Sequence, residues 1–118
     1  MTLDTLDFIL DNKAINLMSI YRITAESDRI LLKLLLGKPV SMEKSFRKSL
    51  KQFSVFPNVI VTRYAIARLL DRDEKEAEKL RKQFEKVMKK YPFRCDMITL
   101  PKYIEEIDRK ATEVSDGI

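Results

Sequence analysis

No histidine occurs in the chain, cysteine occurs once and glycine twice. The first absence removes the commonest general base and metal ligand from any enzymatic scheme. The lone cysteine, Cys95, can form no internal disulfide, which fits a reducing compartment such as the cytoplasm. Arg94 beside it favours the thiolate, but no histidine is present to activate the sulfur, and a lone cysteine after a helix end is ordinarily inert. Two glycines and four prolines leave little material for a turn-rich β fold. Gly37 and Gly117 stand isolated, so no glycine-rich phosphate loop is present. Long apolar runs are missing too: Ile30 to Leu36 is broken by Lys33, far short of the ~20 residues that span a bilayer. Asp4, Asp7 and Asp11 stand where a secretory signal needs positive charge, so no export signal is expected.

What is present describes a globular helical protein. Apolar residues make up 45% and charged residues 35% of 118 positions, enough for one core and too few for two domains. The net charge of +5 is unevenly placed. Residues 1–28 carry two bases and five acids, residues 29–70 carry nine bases against Glu43 alone, and residues 71–118 balance twelve against twelve. The basic excess belongs to the middle third, where an electrostatic partner is to be sought.

The fold expected is all-α, with about six or seven helices in stacked antiparallel hairpins. The clearest helix runs from Asp73 to Tyr91. Asp73 can cap it, with Glu76 three positions later as a capping-box partner. Ala77, Leu80, Phe84, Val87, Met88 and Tyr91 then form one apolar stripe, and Pro92 stops the helix. Upstream, Pro57 opens a helix whose stripe is Val59, Ile60, Tyr64, Ala67 and Leu70. The β-branched run from Val59 to Thr62 is the one place where a strand competes. Asp71 and Arg72 alone separate these two helices, so they must fold back on each other.

Leu3, Leu6, Phe8, Ile9 and Leu10 predict a short first helix, with a break or a continuation at Asn12 and Lys13. A second helix is expected from Ala14 to about Thr24, and a third from Arg29 to Leu36, capped by Ser27 or Asp28 and closed by a left-handed Gly37. Ser41 caps a fourth, from Met42 to about Phe53. A connector covers Phe93 to Ile98, and a last helix starts at Thr99 or Leu100 with Pro101 and runs to about Ala111, with Tyr103, Ile104 and Ile107 inside. As one domain over 1–118, this divides into N-terminal helices (1–28), a first hairpin (29–57), a second (58–92), a capping helix (93–112) and a frayed tail (113–118).

A shift of 34 residues carries Leu80, Phe84 and Val87 onto Phe46, Leu50 and Phe53, and Leu69 and Leu70 onto Leu35 and Leu36. On Tyr64, Ala67, Leu80, Phe84 and Pro92, the 58–92 hairpin resembles a tetratricopeptide repeat. Two departures stand out: Arg68 occupies the small position before the inter-helix turn, and Leu80 stands where a small residue usually admits the neighbouring helix. The resemblance covers about half the chain and implies a stack of hairpins whose groove binds protein. More loosely, Ala67 to Pro92, ending Lys89-Lys90-Tyr91-Pro92, is similar to soluble helical tails that follow membrane helices in some uncharacterised bacterial proteins. That likeness implies a fragment of, or a stand-alone relative of, such a protein.

Polar residues in patterns that could carry chemistry are few. Glu105 and Glu106 are adjacent, ~100° apart on a helix, and do not share a substrate proton easily. Asp71, Asp73 and Glu76 lack the glycine and closing glutamate of a calcium loop, and capping accounts for them better. Neither catalytic residues, metal ligands nor a cofactor site are therefore expected. The most specific polar feature is a basic stripe, Lys44, Arg47, Lys48 and Lys51, at i, i+3, i+4 and i+7 opposite Phe46 and Leu50. An ordinary solvated face has the same pattern; contact with phosphates or an acidic protein surface is the functional alternative. Tyr21, Arg63, Tyr64 and Arg68 are the groove candidates that a hairpin stack would display.

The leading expectation is a non-enzymatic protein-interaction module in the cytoplasm, with an unidentified protein partner. One alternative is a small basic bundle, bacteriocin-immunity-like or regulatory, acting at an anionic membrane surface on its cytosolic face. The other is nucleic-acid binding through the basic stripe, although Phe46 and Phe53 are expected to face inward and not to stand among its bases.

Overall fold

In the computed structural model, residues 3–11, 19–42, 44–52, 56–90 and 99–116 are described. Their helices are α1 (Leu3–Asp11), α2 (Ser19–Leu35), α3 (Lys44–Gln52), α4 (Pro57–Ala65), α5 (Glu74–Lys90) and α6 (Thr99–Asp116). A π-helical turn, Ile66–Leu70, extends α4. The all-α expectation holds, with no strand among the described residues. No helix among them is long and apolar enough to cross a membrane. The expected break at Asn12 and Lys13, the Phe53 end of the fourth helix, Tyr91 and Pro92, the 93–98 connector with Cys95, and Gly117 all lie outside the described residues.

The molecule is built around α4. Pro57 sits in its first turn, where a missing N–H is harmless. The carbonyl of Phe56 accepts from the N–H groups of Val59 and Ile60, at 3.1 Å each, in place of a side-chain cap. The β-branched run that competes for a strand is helical, and magnitudes show why. β-Branching weakens a helix by at most about 0.7 kcal/mol per residue, whereas burying a Val or Ile side chain contributes about 1.5–3 kcal/mol. Val59, Ile60 and Val61 are each 0% exposed. The single stripe expected for this helix is too narrow: Val61, Thr62, Ala65 and Ile66 are buried as well, and Leu70 is exposed. Such a helix needs neighbours on every side, and α2, α5 and α6 supply them.

α5 returns along α4 as the short connection requires. Asp73 caps it, accepting at 3.1 Å from the Glu76 N–H. The reciprocal half of the capping box does not form. The Asp73 N–H donates instead to the Ala67 carbonyl at 2.8 Å, and the Glu76 carboxylate turns to Arg63. Between the helices the chain leaves the π-turn through an Asp71 N–H to Ile66 carbonyl bond of 2.8 Å. Arg72 then takes a left-handed conformation with φ 55°. Ala77, Leu80 and Phe84 are buried and Val87 and Met88 pack beside them, as the stripe predicts.

α2 differs from expectation. It runs unbroken from Ser19 to Leu35, so Ser27 and Asp28 are interior residues and not caps, and the boundary drawn at 28/29 falls within a helix. Ser27 is 0% exposed against α4, where Thr62 Oγ1 donates to its carbonyl at 3.0 Å. The far end follows the glycine rule. Gly37 has φ 72°, its N–H reaches the Leu34 carbonyl at 3.2 Å, and the Lys38 N–H reaches that of Lys33 at 2.9 Å. The partner of α2 also differs. It packs mainly on α1 and α4 and only lightly on α3, so the 29–57 segment is not a closely packed hairpin.

α1 buries Leu3, Leu6 and Leu10 and leaves Phe8 65% exposed. Arg29 fastens it to α2 by ion pairs to Asp7 and Asp11 at 3.3 and 3.0 Å, and Arg22 reaches the Leu10 carbonyl at 3.2 Å. α6 buries Leu100, Ile107 and Ala111 against α4 and the π-turn. It continues to Asp116, past the frayed tail expected from 113. Arg109 bridges Glu106 at 2.7 Å and Glu113 at 2.5 Å, which ties the last turns together.

Two substitutions test the α2–α4 seam. The Ser27 hydroxyl is buried with no hydrogen-bond partner, so Ser27→Ala should leave stability unchanged or raise it by up to about 1 kcal/mol in urea unfolding. Asp28 is half-buried beside Asn58, and burial raises its pKa against the opposing hydrogen bond. The folded state therefore binds this proton more readily, and the ionised carboxylate weakens folding above the raised value. Asp28→Asn should raise the unfolding midpoint at pH 7, and that gain should vanish below the unfolded-state pKa near 3.8.

Candidate binding cleft

Two polar seams run along opposite sides of α4, and they divide the residues that the sequence grouped together. The first borders a cleft of about 470 Å³ between α3 and the α4–α5 hairpin. One wall is the basic stripe: Lys44, Arg47, Lys48 and Lys51 all line it. The floor is Leu50, Ile66, Ala67 and Leu80, and the opposite wall holds Arg63, Asp71, Asp73 and Glu76. All four are carried by α3, with Leu50 turned inward at 2% exposure and Phe46 packed against the core.

Charge pairing inside the cleft is selective. Arg47 spans it to grip Asp71 with two bonds, Nη1 to Oδ2 at 2.8 Å and Nη2 to Oδ1 at 3.1 Å. The Asp71 contact raises the Arg47 pKa, with burial working against it. Arg63 donates to Glu76 at 3.1 Å, and burial lowers its pKa against that attraction. Asp73 is committed to the α5 cap. Each acid of the far wall therefore already has a partner from this chain. Lys44, Lys48 and Lys51 are exposed, and no ion pair among the described residues engages them. They follow i, i+4, i+7 spacing, a cationic row ~10 Å long.

The second seam holds the other groove candidates. Tyr64 is 2% exposed, so it belongs to the interior and not to an open groove. Its hydroxyl donates to Asp108 of α6 and accepts from Arg81 of α5 at 2.9 Å. Arg68 donates to Asp108 Oδ1 at 2.5 Å and stands 3.6 Å from Glu74, while Arg81 pairs with Asp108 Oδ2. The Arg81 guanidinium also lies over the Tyr64 ring, 5.6 Å from its centre. Burial and the bond to Asp108 push the Tyr64 phenol up, so it stays a donor at neutral pH. One carboxylate thus gathers a tyrosine and two arginines and joins α4, α5 and α6.

Of the four groove candidates, Arg63 lies in the cleft, Tyr64 and Arg68 lie in the Asp108 cluster, and the Tyr21 side chain is outside the described residues. They do not form one site. Asp108, Arg81, Asp71 and Glu76 were not singled out from the sequence for these roles. Tyr64 and Arg68 at i, i+4 was the one local signal, since Asp108 pairs with Arg68 from 40 residues away. No group of three or more potential metal-ligating side chains converges among the described residues. Comparison with protein-family models, with curated proteins and with solved structures finds no match.

The Asp108 cluster should be structural. Asp108→Asn removes the carboxylate that Arg68 and Arg81 share, leaving Arg68 only the exposed Glu74 at 3.6 Å, and Arg68 is only 21% exposed. Breaking a buried pair costs about 3–5 kcal/mol; with partial exposure here, a loss on the order of 2 kcal/mol is expected in urea unfolding. Arg81→Gln, at the more exposed partner, should lose less.

Proposed function

We propose that the chain is a non-enzymatic protein-interaction module whose cleft takes an acidic, amphipathic segment of a partner. One observation carries this reading: Lys44, Lys48 and Lys51 have no ion-pair partner among the described residues and stand beside an apolar floor, while the acids opposite are already engaged by Arg47, Arg63 and the α5 cap. A helix bearing carboxylates at matching intervals complements that row, and its apolar residues face the floor. The resemblance of the 58–92 hairpin to a tetratricopeptide repeat, a unit that binds protein, points the same way. The single cysteine supports a reducing compartment such as the cytoplasm.

Protein is favoured over nucleic acid and over lipid by what surrounds the lysines. Among the described residues no aromatic side chain lines the cleft, so none of them offers bases a stacking platform. Asp71, Asp73 and Glu76 face the row across the cleft, which disfavours a continuous phosphate backbone or headgroup layer but tolerates discrete carboxylates.

The test is fluorescence anisotropy with a labelled helical peptide carrying glutamates at i, i+4 and i+7 and leucines on the adjoining face. The protein should bind it, more weakly as salt rises from about 50 to 200 mM. Lys48→Glu with Lys51→Glu should weaken binding by at least about tenfold. Absence of peptide binding, together with tight binding to phosphatidylglycerol vesicles or duplex DNA, overturns the reading in favour of those ligands.

A further inference from the structure

Resting on that reading, we infer that the occupant of the cleft is α1 of a second copy of this chain. Asp4, Phe8 and Asp11 lie at i, i+4 and i+7, on one face of α1 turned away from Leu3, Leu6 and Leu10. Phe8 is 65% exposed, more than any other large apolar side chain among the described residues. Two acids thus flank one uncovered aromatic ring. The cleft presents the converse, with Lys44, Lys48 and Lys51 at the same i, i+4, i+7 spacing beside an apolar floor. A row of acids with a central ring meets a row of bases with an apolar trough, and both repeat over about 10 Å of helix.

Charge complementarity extends beyond these residues. Residues 1–28 carry a net deficit of three charges and residues 29–70 an excess of eight, so the N-terminal part of one copy is attracted to the middle of another. The same molecule cannot make the contact with itself. Arg29 and Arg22 hold α1 on α2, and α1 packs on α2 without a substantial contact to α3 or α5. Arg29 bonds a single oxygen of Asp11, whose side chain is 68% exposed, so that carboxylate has room for a second cation. Asp4 is exposed and enters no ion pair among the described residues. An apolar knob on one surface and a pocket on another give an isologous closed pair if two copies reciprocate, and a heterologous chain of copies if they do not.

Sedimentation velocity over a concentration series reaching about 1 mM at low ionic strength reads the association. The full chain should associate, and rising salt should dissociate it. Phe8→Ser with Asp4→Lys disables the knob, and Lys44→Glu with Lys48→Glu disables the cleft. Each double variant should weaken self-association by at least about tenfold. All four sites are exposed, so unfolding midpoints near that of the parent chain show that the fold is kept. The two variants mixed should form a 1:1 complex, since the intact cleft of one receives the intact α1 of the other. A parent chain that stays monomeric across the series, or variants that fail to combine on mixing, overturns the inference. If the parent chain is monomeric yet binds the acidic helical peptide, only the identity of the occupant is overturned; if it does neither, the binding reading falls as well.

Discussion

α4 has apolar or small side chains around nearly its whole circumference, and a helix of that kind persists only when water is kept from every side of it. α2, α5 and α6 satisfy this demand together, with Ile60, Leu80 and Ile107 among the largest side chains they bring to full burial. The order of the other helices follows. α5 must return directly because three residues separate it from the π-turn, and α2 comes in close through the small Ser27. α1 and α3 are left to the periphery, one held by Arg29 and the other by Arg47. Burial of the β-branched run also settles its conformation, because the transfer energy of an enclosed helix exceeds the local preference for strand.

The arginines and lysines divide by chemistry. Arg29, Arg47, Arg63, Arg68 and Arg81 each find a carboxylate on another element, and each ties two helices or a helix and a turn. A planar guanidinium offers several fixed donors and is weakly hydrated, which suits bonds at half-buried seams. Lys44, Lys48 and Lys51 remain in water beside the cleft, as strongly hydrated point charges do. The basic excess of the middle third is therefore of two kinds. Its arginines are largely spent inside the structure, and Lys44, Lys48 and Lys51 stand exposed at the cleft.

The π-turn links the two seams. It carries α4 past Arg68, which faces Asp108, and ends at Asp71, which faces Arg47 on the other side. Arg72 holds a left-handed conformation without being glycine, and the bonds of Asp71 and Asp73 back to Ile66 and Ala67 enclose it. The cleft's far wall is thus set by backbone geometry at the hinge of the α4–α5 hairpin.

Whatever depended on neighbours within a few residues could be read from the sequence alone. The α5 stripe, the Asp73 cap, Pro57 at a helix start, the left-handed Gly37 and the basic row of α3 all follow from spacing or from single-residue stereochemistry. What depended on distant partners could not. Ser27 resembles a cap until Thr62 is known to pack on it, and Tyr64 resembles a groove residue until Asp108 is known to accept its hydroxyl from 44 residues away. Glu76 resembles a capping partner until Arg63 competes for its carboxylate. Pairing across a fold is decided by which helix lies beside α4, and no periodicity within one helix contains that information. The chain thus specified its helices and its basic row; only their packing decided that this row borders a cleft and that Arg47 and Arg63 there are paired with Asp71 and Glu76.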